Sequence, residues 1–151
     1  MSVKMKIALV CYLLVAVATV AGGLRYFLAS EIMPYHQQVI GMTWDKIDPR
    51  FQEMFLAFMN GSGFVSLIQG LTLIALILIP FRKGELWARW TIPGIILASG
   101  VYLLYITLSL KSSTQASTPW QLAAVTLFFG VAGLILAYGP SKQIQQNHRK
   151  R

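Results

Sequence analysis

The side chains that could do chemistry in this sequence are few and widely spaced. Cys11 is the single cysteine, so neither an internal disulfide nor a C-x-x-C redox pair can form. His36 and His148 are the two histidines, the second in a polar tail, and a haem inside a bundle would need an axial pair that is missing. Glu31, Asp45, Asp48 and Glu53 surround His36 in sequence, but their spacing matches no ligand pattern, and no metal site is expected. No nucleophile is paired with a base and no glycine loop could cradle a phosphate, so no catalytic residue and no cofactor is assigned. What remains is a set of polar groups within or beside apolar stretches: Arg25, Glu53, Asn60, Gln69, Tyr102 and Tyr105. Polar groups at membrane depth are costly, and for that reason they are functional candidates.

The elements that must position these groups follow from composition. Of 151 residues, 56% are hydrophobic and 12% charged, about half the charge of a soluble domain. The mean hydropathy is +0.60. Four apolar segments, at about 7–28, 55–80, 90–110 and 120–138, reach the roughly 20 residues that cross about 30 Å of hydrocarbon. The expected fold is therefore all-α: one transmembrane domain, a four-helix antiparallel bundle with an amphipathic outer loop between its first two helices, and a basic tail at 139–151. Lys4 and Lys6 precede the first segment as they would in a signal peptide. The apolar run nevertheless outlasts an h-region of about 7–15 residues, so an uncleaved span is expected, with cleavage as the alternative. Ala8-Leu9-Val10-Cys11 is a poor lipidation signal.

The net charge of +8 carries no basic stripe of the kind nucleic acids require, and nucleic-acid binding is excluded on that ground. Position explains the cations better. Lys4, Lys6, Arg82, Lys83, Arg89, Lys142, Arg149, Lys150 and Arg151 flank one side of the spans, against Arg25, Lys46, Arg50 and Lys111 on the other. The positive-inside rule then places both termini in the cytoplasm of an inner (plasma) membrane. Trp44, Trp87, Trp90 and Trp120 fall at the expected interfaces. In the outer loop Pro34 and Gly41 read as breaks, while Asp48-Pro49 reads as an N-cap followed by proline at the first helical position. Phe51, Phe55 and Phe58 would then form a collar running into the second span. Asn60-Gly61-Ser62 resembles a glycosylation sequon but lies at membrane depth.

Small and polar residues recur at helical spacing in every span. They are Cys11, Val15, Ala18, Gly22, Arg25 and Ala29 in the first, and Ser62, Ser66, Gln69 and Gly70 in the second. Gly94, Ala98, Tyr102, Tyr105 and Ser109 follow in the third, then Ala123, Thr126, Gly130, Gly133 and Ala137 in the fourth. Lipid is as apolar as leucine, so helices associate through small residues and interhelical hydrogen bonds, and these stripes are expected to face inward. Arg25 would then be enclosed near the outer rim, seeking Glu53, Glu31, Tyr102 or Tyr105, with simple snorkelling as its alternative. Gln69 is expected to bond a neighbouring helix or, secondly, a ligand.

Two functions compete on these residues. A protein that binds or transfers a small lipophilic molecule would use Arg25, Tyr102, Tyr105, Gln69 and Glu53 to orient a head group in the outer half of the bundle. An accessory or scaffold subunit would need only its faces, met by a membrane-protein partner or a second copy. A third reading comes from Gly22-Gly23, Glu31-Ile32-Met33-Pro34 and Phe58-Met59-Asn60, which resemble the four-span bacterial membrane proteins of the DoxX-like and anthrone-oxygenase-like groups. The resemblance covers the first half of the chain and implies a four-helix bundle, with oxygenase-like activity carried by Met33, Pro34 and Asn60. Proton-coupled transport is disfavoured because no carboxylate lies in an apolar core, and a channel would want a longer polar series.

Overall fold

Ser2 opens the first helix: its side chain accepts from the Met5 amide at 3.3 Å, and helix α1 runs from Val3 to Phe27. A computed structural model describes residues 1–138 of the chain, so the basic tail at 139–151 lies outside the described residues. Helix α2 (Pro34–Ile40) has proline at its start and ends at Gly41, whose φ of 74° suits a left-handed C-cap. The two residues expected to break the outer loop instead bound a seven-residue helix. Helix α3 (Pro49–Leu76) begins as expected, with the Asp48 side chain accepting from the Arg50 amide at 2.9 Å. It continues through a wider π turn, Ile77–Phe81, where Pro80 has no N–H to give to the regular ladder. Helices α4 (Leu86–Thr114) and α5 (Trp120–Tyr138) complete the fold.

Four of these helical stretches, Val3–Phe27, Pro49–Phe81, Leu86–Thr114 and Trp120–Tyr138, are long and apolar enough to cross a membrane. At about 1.5 Å per residue the second is close to 50 Å long. It exceeds the hydrocarbon thickness, and its first turns carry Arg50, Gln52 and Glu53. Helix α1 packs between α3 and α5, α4 packs on α5, and α3 meets α4 chiefly through the π turn.

The interfaces set a large side chain against a glycine. Gly130 of α5 receives Ile96 and Leu97 of α4; Gly133 receives the Tyr12 ring of α1; Gly100 of α4 receives Leu127 of α5; Gly70 of α3 lies against Val20 and Ala16 of α1. Among the described residues two glycines meet only between α1 and α3, Gly23 against Gly63, where backbone touches backbone. One apolar cluster closes the end of the bundle near the π turn and includes Ala8, Tyr12, Leu73, Ile77, Phe81, Ala88, Ile92 and Ile96. Tyr12 and Phe81 meet there edge to face, 5.6 Å between centroids.

The expected inward stripe on α4 is rotated outward, and those on α1 and α3 are so in part, Cys11, Val15 and Gly70 being buried as expected. On α5, Ala123, Gly130, Gly133 and Ala137 do face the core. On α1 the buried face is Ala8, Cys11, Tyr12, Val15, Ala16 and Gly23, so Ala18, Gly22 and Arg25 turn outward. On α3 Gly63 and Gly70 are buried, Ser66 is half-buried and Ser62 is exposed. On α4 the core face is Ala88, Ile92, Pro93, Ile96, Gly100 and Thr107, which leaves Gly94 and Ala98 exposed. The physical reason is that a glycine notch must be filled by a bulky partner, so an interface needs one small side and one large side. Ile92 and Ile96 are the large side opposite α5.

Candidate functional site

The groups expected to converge near the outer rim do not. Arg25 lies in the last turn of α1, where a cation suits the helix dipole, and it is exposed. Glu31 and Glu53 are exposed too, and no ion pair joins them to Arg25 among the described residues. Tyr102 and Tyr105 are 66% and 70% exposed, on the face of α4 turned away from α5. Tyr105 lines a shallow depression with Leu108, Ser109, Lys111, Ser112 and Gln115, all from one helix and its cap, which cannot enclose a ligand. Gln69 does find a neighbouring helix: its Nε2 donates to Ser99 Oγ on α4 at 3.1 Å.

A different set of polar groups is brought together instead, at the end of the bundle capped by α2. Its floor is a second apolar cluster of Ile32, Ile47 and Met59, with Tyr26, Met33, Ile40, Trp44, Phe55 and Leu56 packed around it. Helix α2 contributes no fully buried residue and is tied down by side chains. Gln37 Oε1 accepts from the Trp44 amide at 3.3 Å, and Gln52 Nε2 donates to the Trp44 carbonyl at 2.7 Å. Gln38 Oε1 accepts from the Ser117 amide at 2.8 Å, which links α2 to the connection between α4 and α5. With its amide oriented to donate, Asn60 bonds the carbonyl oxygens of Leu56 and Tyr26 at 3.2 and 3.0 Å, joining α3 to α1 at the same level.

On this floor Tyr26 of α1 and Tyr35 of α2 share a hydroxyl–hydroxyl hydrogen bond. The His36 ring lies 4.0 Å from that of Tyr35 and meets Tyr26 edge-on at 6.1 Å. Burial and the bond to Tyr26 push the Tyr35 phenol upward, with Arg25 pulling weakly the other way, and burial lowers the His36 imidazole below its usual range. Both rings are therefore neutral at pH 7. A pair of phenols sharing one hydrogen bond still has one hydroxyl proton to donate, and a neutral imidazole offers one donor and one acceptor. The cluster is thus a small neutral polar patch on an apolar floor, with the Arg25 guanidinium outside it. It suits a carbonyl or hydroxyl better than a metal; no group of three His, Cys, Asp or Glu side chains able to hold a metal occurs among the described residues.

Tyr26 and Tyr35 were not among the candidates raised by the sequence, and His36 was weighed there only as a metal ligand. The signal was available. Pro34 at a first helical position and Gly41 as its stop enclose Tyr35 and His36 in one short helix. Compared with protein-family models, curated proteins and solved structures, the chain matches none.

Proposed function

We propose that the chain is a multi-pass integral membrane protein whose four long helices cross an inner membrane in alternating directions, with both termini cytoplasmic. We further propose that it binds a small lipophilic molecule at the α2 cap. The cation distribution supports the orientation, since Lys4, Lys6, Arg82, Lys83 and Arg89 gather at the end opposite α2. The observation that carries the ligand reading is the Tyr26–Tyr35–His36 cluster, whose hydrogen-bonding capacity exceeds what its own members use. A head group bearing a carbonyl or hydroxyl would accept the free phenolic proton, and its apolar part would lie along Ile32, Met59 and Phe55. The resemblance to DoxX-like and anthrone-oxygenase-like proteins belongs to the same proposal, because Met33, Pro34 and Asn60 border this cap. No reaction is assigned.

Native mass spectrometry of protein taken from its own membranes in mild detergent tests the ligand reading. A recurrent small-molecule adduct that is lost in Tyr35→Phe and His36→Gln variants is expected. A wild-type protein that repeatedly carries no adduct, or variants that retain it unchanged, would refute it. The accessory-subunit reading has one observation in its favour: a Cβ at Gly22, Gly61 or Gly94 would meet nothing within 4 Å, so these notches face outward. Crosslinking through cysteines placed at Gly94 would capture a stoichiometric partner if that reading holds, and only monomer if it does not.

A further inference from the structure

Arg25 is turned away from the core by the packing of α1, yet the fold keeps it beside the cap. It precedes Tyr26 in the last turn of α1, and the Tyr26 hydroxyl bonds that of Tyr35, which ties α2 to this end of the helix. Burial and that bond push the Tyr35 phenol upward, and Arg25 is the charged group that pulls it back. No carboxylate acts on Tyr35 or on His36 among the described residues. Glu31 and Glu53 are exposed and form no ion pair with the guanidinium among those residues. The cap is therefore a neutral patch with one permanent cation at its rim.

Donors dominate this rim. The phenol pair has one proton left to give, the neutral imidazole one N–H, and the guanidinium a planar fork of them. A ligand with a neutral head would engage the phenol and leave the guanidinium unused. A carboxylate engages both: one oxygen takes the phenolic proton and the other takes the guanidinium, in charge-assisted bonds about twice as strong as neutral ones. The surroundings of Arg25 set its depth. Leu24, Phe27 and Leu28 are exposed around it at the end of a membrane-length helix, so the charge sits at the boundary between acyl chains and water. That is where the carboxyl group of a membrane-dissolved acid rests. The apolar floor beside it is narrow, with Ile32, Ile47 and Met59 as its buried members under a seven-residue helix, which suits one acyl chain rather than two.

We infer that the ligand of the cap is a single-chain amphiphilic carboxylate, a fatty acid, held by the Tyr26–Tyr35 hydroxyl pair and the Arg25 guanidinium. This inference rests on the cap reading proposed above, and its test separates the two. Protein in neutral detergent is titrated, under mildly alkaline conditions, with stearate brominated at mid-chain and, separately, with the alcohol of the same brominated chain. Bromine quenches tryptophan at short range, and Trp44 packs around the cap floor, so the saturable quenching that Trp44→Phe removes reports binding there. Stearate should saturate at a roughly tenfold lower concentration than the alcohol, the worth of a charge-assisted bond. Arg25→Gln should abolish that preference and leave the alcohol unchanged; the side chain is exposed, so the variant keeps the fold. Tyr35→Phe should weaken both ligands, since either head takes the phenolic proton. Lys46→Gln, at another exposed cation of the outer loop, should weaken stearate about threefold or less. Equal saturation by the two ligands, a preference that survives Arg25→Gln, or a Lys46→Gln effect as large as that of Arg25→Gln would overturn the carboxylate and leave the cap reading standing. Phosphatidylglycerol that displaces stearate at equal concentration would overturn it too, marking a site for bilayer anions. Where neither ligand quenches Trp44, the native adduct decides: its presence refutes the fatty acid alone, its absence the cap as well.

Discussion

Alanine at Gly63 should separate α1 from α3, whereas alanine at Gly22 should be harmless. A Cβ on Gly63 would stand 2.8 Å from the Gly23 carbonyl oxygen and 2.8 Å from the Tyr26 carbonyl carbon, and it would collide with the Phe27 amide. All three are backbone atoms and cannot rotate aside. Ordinary contact begins near 3.4 Å, so the helices must part by roughly 0.6 Å to clear the two carbonyl atoms, and further to clear the Phe27 amide. A gap of that size forfeits a quarter to a half of each dispersion contact along the crossing. Overpacking of this kind costs about 1–3 kcal/mol, and a backbone clash belongs at the upper end. The better helix propensity of alanine returns at most about 1 kcal/mol, leaving Gly63→Ala destabilised by about 1–2 kcal/mol. Gly22→Ala meets nothing within 4 Å and keeps the propensity gain, so the two variants should differ by about 2–3 kcal/mol. Denaturant titration in mixed micelles, followed by tryptophan fluorescence, measures that difference. If Gly22→Ala is the more damaging of the pair, α1 presents the Ala18–Gly22–Arg25 face inward and the packing described above is wrong.

Stability should fall on mild acidification because of His36. Its folded pKa is lowered by burial, so below the ordinary value of about 6.5 the unfolded chain takes up the proton first. The loss should develop as pH drops from there through the lowered folded pKa, and His36→Gln should abolish that part of the slope; an unchanged slope refutes it. Gln69 and Ser99 should show a coupling energy of about 0.6–1.7 kcal/mol in a double-mutant cycle, and no coupling would mean the 3.1 Å bond does not form in the membrane. Tyr12→Phe should be neutral or stabilising, because the buried Tyr12 hydroxyl has no partner among the described residues; a loss above about 1 kcal/mol in the same titration would contradict that.

The helices were legible in the sequence, but most of their faces were not. Length and hydropathy mark a span whatever it packs against, and Asp48-Pro49 marks the start of α3 by local hydrogen bonding alone. A face is a relation between two helices. In water the inward face is the apolar one, but against lipid both faces are apolar and only size distinguishes them. Helix α5 could be read because its small residues share one side. Helix α1 carries Ala16, Ala18, Ala21, Gly22 and Gly23 around its whole circumference, so a phase error of one residue, about 100°, moves Arg25 from core to surface. Treating every small stripe as inward also counts an interface from both sides, though Gly130 needs Ile96 rather than another glycine. The cap was missed for a different reason: α2 has only seven residues, too short for periodicity to declare, and only its bounding proline and glycine give it away.

The two ends of the molecule are closed by different physics, and on the proposed ligand reading that difference locates the entry. Near the π turn, Tyr12, Leu73, Ile77, Phe81, Ile92 and Ile96 are buried to within a percent or so of complete, and parting them would expose the largest apolar core in the fold. At the other end α2 buries no residue fully and is held by amide side chains and the Tyr26–Tyr35 bond. Each such bond contributes about 0.5–1.5 kcal/mol net, because water or lipid head groups replace it when it breaks. Local opening follows the element with least buried apolar area, so α2 lifts at lower cost than any of the four long helices can separate. Lifting it would part Tyr35 and His36 from Tyr26, and on the proposed ligand reading this is the side by which a lipophilic molecule with a polar head would enter.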